Sequence, residues 1–167
     1  MPRERLKLAL DTDVALALGF ERERLHLFRE VARDQGCGFV LTPTVLAQLH
    51  ILLTGSDTEL ADAATCVLRE RRVWDIQAVV FDSPAENKRI EAIARHLRQK
   101  AWLPWSEYRD ALVVAECSVA CIPMLVVFDT DYPPAKFNPH LFASLVSINA
   151  APVTVWKPEE LLDYWAR

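Results

Sequence analysis

The sequence predicts an α/β protein, a three-layer α/β/α sandwich built around a mainly parallel sheet. Short apolar runs alternate with longer amphipathic segments, no repeat or linker interrupts them, and two of the runs stop at the same acidic signature. These are Leu8-Ala9-Leu10-Asp11-Thr12-Asp13 near the start and Leu125-Val126-Val127-Phe128-Asp129-Thr130-Asp131 near the end. In one parallel sheet both runs end on the carboxyl edge, where open α/β sheets place their ligands. Four carboxylates crowded there need protons or cations between them, and an all-oxygen cluster suits Mg²⁺ or Mn²⁺. A divalent-metal site acting on phosphate is the first expectation.

Taken in order, a strand is expected over about 6–11, then helices over 14–20 and 22–35, stopped by Gly36-Cys37-Gly38. Phe39-Val40-Leu41 reads as a short buried strand, and Thr42-Pro43 as a side-chain cap with proline at the first helical position, opening a helix to about Leu53. Gly55-Ser56-Asp57 breaks the chain before a helix from about Asp57 to Arg71. The stretch from Val73 to Phe81 alternates poorly, as strand or extended loop, and Ser83-Pro84 caps the next start. From about Ala85 to Ala101, Ile90, Ile93, Ala94 and Leu97 share one face, away from Lys88, Arg95 and Arg98. Trp102-Leu103-Pro104-Trp105 ends that pattern, and Ser106 caps a helix reaching about Cys121, with Glu107 in its first turn and Asp110 one turn inside. A strand over 124–128, an edge strand over 153–156 and a helix over 158–166 complete the reading.

With 167 residues that are 51% hydrophobic and 25% charged, the chain can bury a full core as one domain spanning 1–167. Asp11 and Asp13 interrupt the apolar stretch that would follow Met1-Pro2-Arg3-Glu4-Arg5 in a signal peptide, so neither a leader nor a membrane span is expected and the location is cytoplasmic. Cys37, Cys66, Cys117 and Cys121 show no paired spacing and are expected as reduced thiols, with Cys117 and Cys121 on one helix face in the core. A net charge of −4 leaves nucleic-acid binding to local groups such as Arg22, Arg24, Arg69, Arg71, Arg72, Lys88, Arg95 and Arg98, with Trp102 and Trp105 as base-stacking candidates. The plainer reading makes the cations solvated helix faces and the tryptophans cover for the core. Four scattered histidines offer no ligand spacing and no partnered nucleophile.

Singly, Asp11 and Asp13 read as helix caps, and Asp129 and Asp131 as turn formers before Tyr132-Pro133-Pro134. Asp110 resists such a reading, because an acid beside the apolar run Ala111-Leu112-Val113-Val114-Ala115 needs a cation or a solvated crevice.

Four segments in order, Leu10-Asp11-Thr12-Asp13, Thr42-Pro43-Thr44-Val45-Leu46-Ala47-Gln48-Leu49, Asp110-Ala111-Leu112-Val113-Val114-Ala115 and Val127-Phe128-Asp129-Thr130-Asp131-Tyr132, resemble the successive motifs of PIN domains across nearly the whole chain. That resemblance implies an Mg²⁺- or Mn²⁺-dependent nuclease cutting single-stranded RNA, with Asp11, Asp110 and Asp129 at the catalytic metal positions and Asp131 as a further metal ligand. Asp13 and Glu107 are auxiliary acids, and Arg95, Arg98 and Trp105 are candidates for contacting RNA. Toxin members of the family imply an antitoxin partner and a homodimer. Gln48 departs from the pattern, standing where the family generally has glutamate; it accepts hydrogen bonds but brings no charge, so weaker metal binding and one metal rather than two are expected. Glu107 is the nearest substitute, whereas Glu116, six residues past Asp110, points well away. Two rivals remain: a non-catalytic PIN-like module binding RNA or protein, and a haloacid-dehalogenase-type phosphohydrolase. The second fits Asp11-Thr12-Asp13 but lacks the glycine-rich turn and leaves Asp110 unexplained.

Overall fold

The structure, a computed structural model, describes residues 5–20, 22–100, 108–128 and 138–167. Its elements run β1 (Leu6–Leu10), α1 (Thr12–Gly19), α2 (Glu23–Asp34), β2 (Cys37–Leu41), α3 (Pro43–Leu53), α4 (Thr58–Glu70), β3 (Ile76–Ala78), α5 (Pro84–Arg98), α6 (Tyr108–Val119), β4 (Met124–Val126), α7 (Asn138–Val146), β5 (Thr154–Trp156) and α8 (Pro158–Trp165). The strands form one sheet in the order β3-β2-β1-β4-β5, and every pairing is parallel. Leu8 and Ala9 sit opposite Phe39 and Val40 on one side and Met124 and Leu125 on the other. Leu8, Ala9, Leu10, Val40, Leu41, Leu125 and Val126 are all buried, as strands covered on both faces must be. This is the expected three-layer α/β/α sandwich.

Local chemistry explains most boundaries. Gly36 takes φ 75° just past α2, a left-handed turn that suits glycine, and β2 starts at once at Cys37, two residues earlier than expected. The Asp57 carboxylate caps α4 by accepting from the Glu59 and Leu60 N–H groups. A capping box opens α5, in which Ser83 Oγ accepts from Ala85 N–H and Glu86 accepts from Ser83 N–H. Gly19 allows α1 to lie against α4: a β-carbon there would fall 2.8 Å from the Ala63 carbonyl carbon and closer still to its oxygen.

Four local expectations need correction. Thr42 holds the N-cap position of α3 but its side chain makes no cap bond; Glu116, reaching over from α6, takes that role. The stretch read as 73–81 pairs only over Ile76–Ala78, because Arg71 to Asp75 turn first and Asp75 adopts φ 56°. Helix α6 stops at Val119, so Cys121 lies beyond it in a left-handed turn, exposed, while Cys117 is buried. Helix α7 was not expected at all. Leu141 and Leu145 bury one narrow side of it, and Asn138 pins its start to β5 by accepting from Val155 N–H at 2.8 Å and donating to Val155 O at 2.9 Å.

Candidate active site

From β1 the chain adds β2 and β3 on one side of the sheet, then returns to add β4 and β5 on the other. The strand order therefore reverses between β1 and β4, and a crevice opens at the carboxyl ends beside such a switch point. Asp11 stands there: its N–H still donates to Val126 O at 3.0 Å, so the backbone of the sheet fixes its Cα. It occupies the N-cap position of α1 without a side-chain cap bond, and it is only 8% exposed. Asp13, in the first turn of α1, is exposed at the mouth.

Helix α6 delivers the second acid. Asp110 lies in its first turn, 6% exposed, where the positive end of the helix favours a carboxylate, and Ala111, Val113 and Val114 bury the helix beside it. Asp11, Thr12, Asp13, Gln48, Arg109 and Asp110 line one crevice of about 250 Å³, walled on its apolar side by Leu16, Ile51, Leu52 and Leu60. The acids of the first and third motifs, the neutral residue of the second and the auxiliary Asp13 thus meet as the sequence implied.

Gln48 has two neighbours that only one orientation of its amide satisfies. Its amino group donates to Thr12 Oγ1, and its oxygen accepts from Arg109 Nη1 at 2.7 Å and from Nε. Neither Thr12 nor Arg109 stood out in the sequence as a site residue. The one available signal was position, Thr12 lying between two candidate acids and Arg109 directly before the third.

Glu116 does point away from the crevice. It is buried, and its two oxygens accept from Thr44 N–H at 3.2 Å while Oε1 also accepts from Thr44 Oγ1 at 2.7 Å. Burial pushes its carboxyl above the ordinary value, against the pull of the Thr44 hydrogen bonds. Thr44 and Gln48 are one turn apart on α3, so Glu116 and Arg109 hold two successive points of a single α3–α6 seam. Behind it, burial raises the Cys117 thiol far above its usual range, helped by the negative charges of Glu116 and Asp11. Cys117 is a protonated core thiol, not a nucleophile.

Asp129, Asp131, Glu107, Trp102 and Trp105 lie outside the described residues. Arg98 reaches the same end of the fold, its guanidinium 5.0 Å from the centre of the Tyr108 ring at the start of α6, and Arg95 is exposed about one turn earlier on α5. Among the described residues, no three His, Cys, Asp or Glu side chains gather closely enough to hold a metal ion by themselves. The donor chemistry nevertheless fits a hard divalent cation, since two buried carboxylates, a hydroxyl and an amide oxygen offer oxygen alone. No helix among the described residues is long and apolar enough to cross a membrane.

A parallel α/β/α sandwich with acids gathered at the β1–β4 switch point defines a PIN-like fold, and solved structures agree. The crystal structure of VapBC2 from Rickettsia felis, bound to a DNA fragment from their promoter, matches with a TM-score of 0.60 at 12% identity, covering 90% of this chain and 98% of that one. FitAcB from Neisseria gonorrhoeae matches with a TM-score of 0.51 at 18% identity, covering 91% and 98%. At such identities the likeness speaks for the fold. No protein-family model matches the sequence, and neither does any curated protein.

Proposed function

We propose that this chain is a metal-dependent endoribonuclease that hydrolyses phosphodiester bonds of single-stranded RNA, as the toxin of a toxin–antitoxin pair. The observation that carries the proposal is the burial of Asp11 and Asp110 together in one open crevice at the topological switch point. Two carboxylates so placed are costly to a structure that has no use for them, and perturbed acids in a cleft are candidates for function.

On this reading Asp11 and Asp110 hold the cation with Asp129 and Asp131, and a bound Mg²⁺ or Mn²⁺ supplies Lewis-acid charge to the phosphate and an acidified water. The remaining work falls to the chain. Backbone pairing at Asp11 and the first turn of α6 at Asp110 present both carboxylates without a large entropy cost on binding. Asp13 at the mouth orients water by accepting its hydrogen bonds, and Leu16, Ile51, Leu52 and Leu60 limit bulk solvent on the far wall. Asp110 in the same crevice as Asp11 favours this reading over the phosphohydrolase, which gives Asp110 no task. An antitoxin, a homodimer and a cytoplasmic location follow as further parts of the proposal; light scattering on the purified chain tests the dimer.

The test is incubation of the protein with single-stranded RNA in Mn²⁺ or Mg²⁺, beside Asp11→Asn and a chelator-treated sample. Cleavage should need the metal and fall at least a hundredfold in Asp11→Asn; cleavage that survives both sinks the proposal. Gln48 favours one second reading, a non-catalytic PIN-like binding module. That alternative predicts RNA or protein binding indifferent to chelator, with no cleavage in any metal.

A further inference from the structure

Arg109 enters the crevice without belonging to the acid set that the nuclease reading employs. The Gln48 oxygen accepts from two of its N–H groups, Nη1 and Nε, which grips one edge of the planar guanidinium and fixes its direction. A neutral amide does this without cancelling the charge. Asp11 and Asp110 on the opposite wall repel a phosphodiester, so a backbone entering the crevice meets favourable charge first at Arg109. Arg98, stacked over Tyr108 next to it in sequence, extends the positive edge outward.

We infer that Arg109 is the phosphate-gripping residue of this crevice, aimed by Gln48, and that the amide at position 48 keeps its positive charge available to the RNA backbone. The inference rests on the ribonuclease reading in taking RNA as the anion. It also separates two effects that a structural role would join. A guanidinium beside the acids repels a divalent cation and attracts phosphate, so neutralising it shifts the two affinities in opposite directions.

The experiment measures binding of a fluorescent single-stranded RNA oligonucleotide in EDTA across a salt series, and Mn²⁺ binding by calorimetry without RNA, for the wild type, Arg109→Met, Arg109→Lys and Gln48→Glu. Arg109→Met should bind RNA about tenfold more weakly near 0.1 M salt, with the slope of log affinity against log salt reduced by about 0.7. Its Mn²⁺ affinity should hold or rise. Arg109→Lys keeps the charge and should keep most of the slope, whereas Gln48→Glu should weaken RNA binding by pairing with the guanidinium. RNA affinity and slope unchanged in Arg109→Met overturn the inference, as does a parallel loss of Mn²⁺ binding, which would make Arg109 a strut of the crevice. RNA binding undiminished in Gln48→Glu overturns the part given to the amide. Failure of the parent reading looks different: no cleavage in any metal, with the Arg109→Met effect intact, removes the nuclease and leaves the phosphate grip.

Discussion

At position 48 an amide stands beside two buried carboxylates and against a guanidinium, and that one side chain sets the charge of the crevice. Replacing Gln48 by Glu restores a negative charge near the cation position, where a unit charge a few ångströms away contributes about 4 kcal/mol at an effective dielectric near 20. Pairing with Arg109 absorbs much of this, so Mn²⁺ binding should tighten by roughly tenfold in calorimetry; an unchanged affinity would show that Gln48 lies outside the metal's reach. Asp110→Asn should act in the other direction. At a Mn²⁺ concentration of about a hundred times Kd a wild-type site gains about 2.7 kcal/mol, seen as a rise in Tm, and the variant should show no such rise. Asp11, Asp13, Gln48 and Asp110 were legible in the sequence because strand ends and helix starts impose their positions locally. Arg109 was not, since an arginine at a helix start is unremarkable until α3 carries Gln48 against it. Asp129 and Asp131 remain sequence candidates.

Between elements, the α3–α6 seam positions the site, and its buried end is Glu116 on Thr44. Burial holds the Glu116 carboxyl above its ordinary value of 4.5, so the folded protein binds this proton more tightly than the unfolded chain. The stabilising contribution of protonation is then fully present below about 4.5 and is lost as pH rises through the folded value. Glu116→Gln cannot ionise; relative to wild type its Tm should improve steadily as pH is raised above 4.5, and a difference that is flat with pH would contradict the assignment. A second element-level prediction concerns Gly19, whose missing side chain lets α1 and α4 meet: Gly19→Ala should cost about 1–3 kcal/mol by overpacking, read as a Tm several degrees lower. Helices with strong local signals, such as α4 with its Asp57 cap and α5 with its capping box, were readable nearly to the residue. The cap of α3 was not, because its acceptor comes from a helix more than seventy residues away, and Thr42 offered a plausible local substitute.

For the whole molecule, the parallel sheet was legible because apolar runs alternate with amphipathic helices, an order that leaves few other topologies open. Helix α7 escaped because Leu141 and Leu145 are a short apolar signal and its start is held by Asn138 bonding to β5, a tertiary device with no local pattern. A net charge of −4 adds a global consequence: RNA binding must draw on a few cations against an unfavourable overall field, so affinity should fall steeply as salt rises from low concentration. The switch point between β1 and β4 joins these scales, since the strand order creates the crevice and Asp11 and Asp110 give it charge. The rate of single-stranded RNA cleavage as Mn²⁺ is titrated, wild type beside Asp110→Asn, bears on that claim most directly. The account predicts a saturable rise in the wild type and a flat line at background in the variant; equal metal-dependent cleavage by both would contradict it.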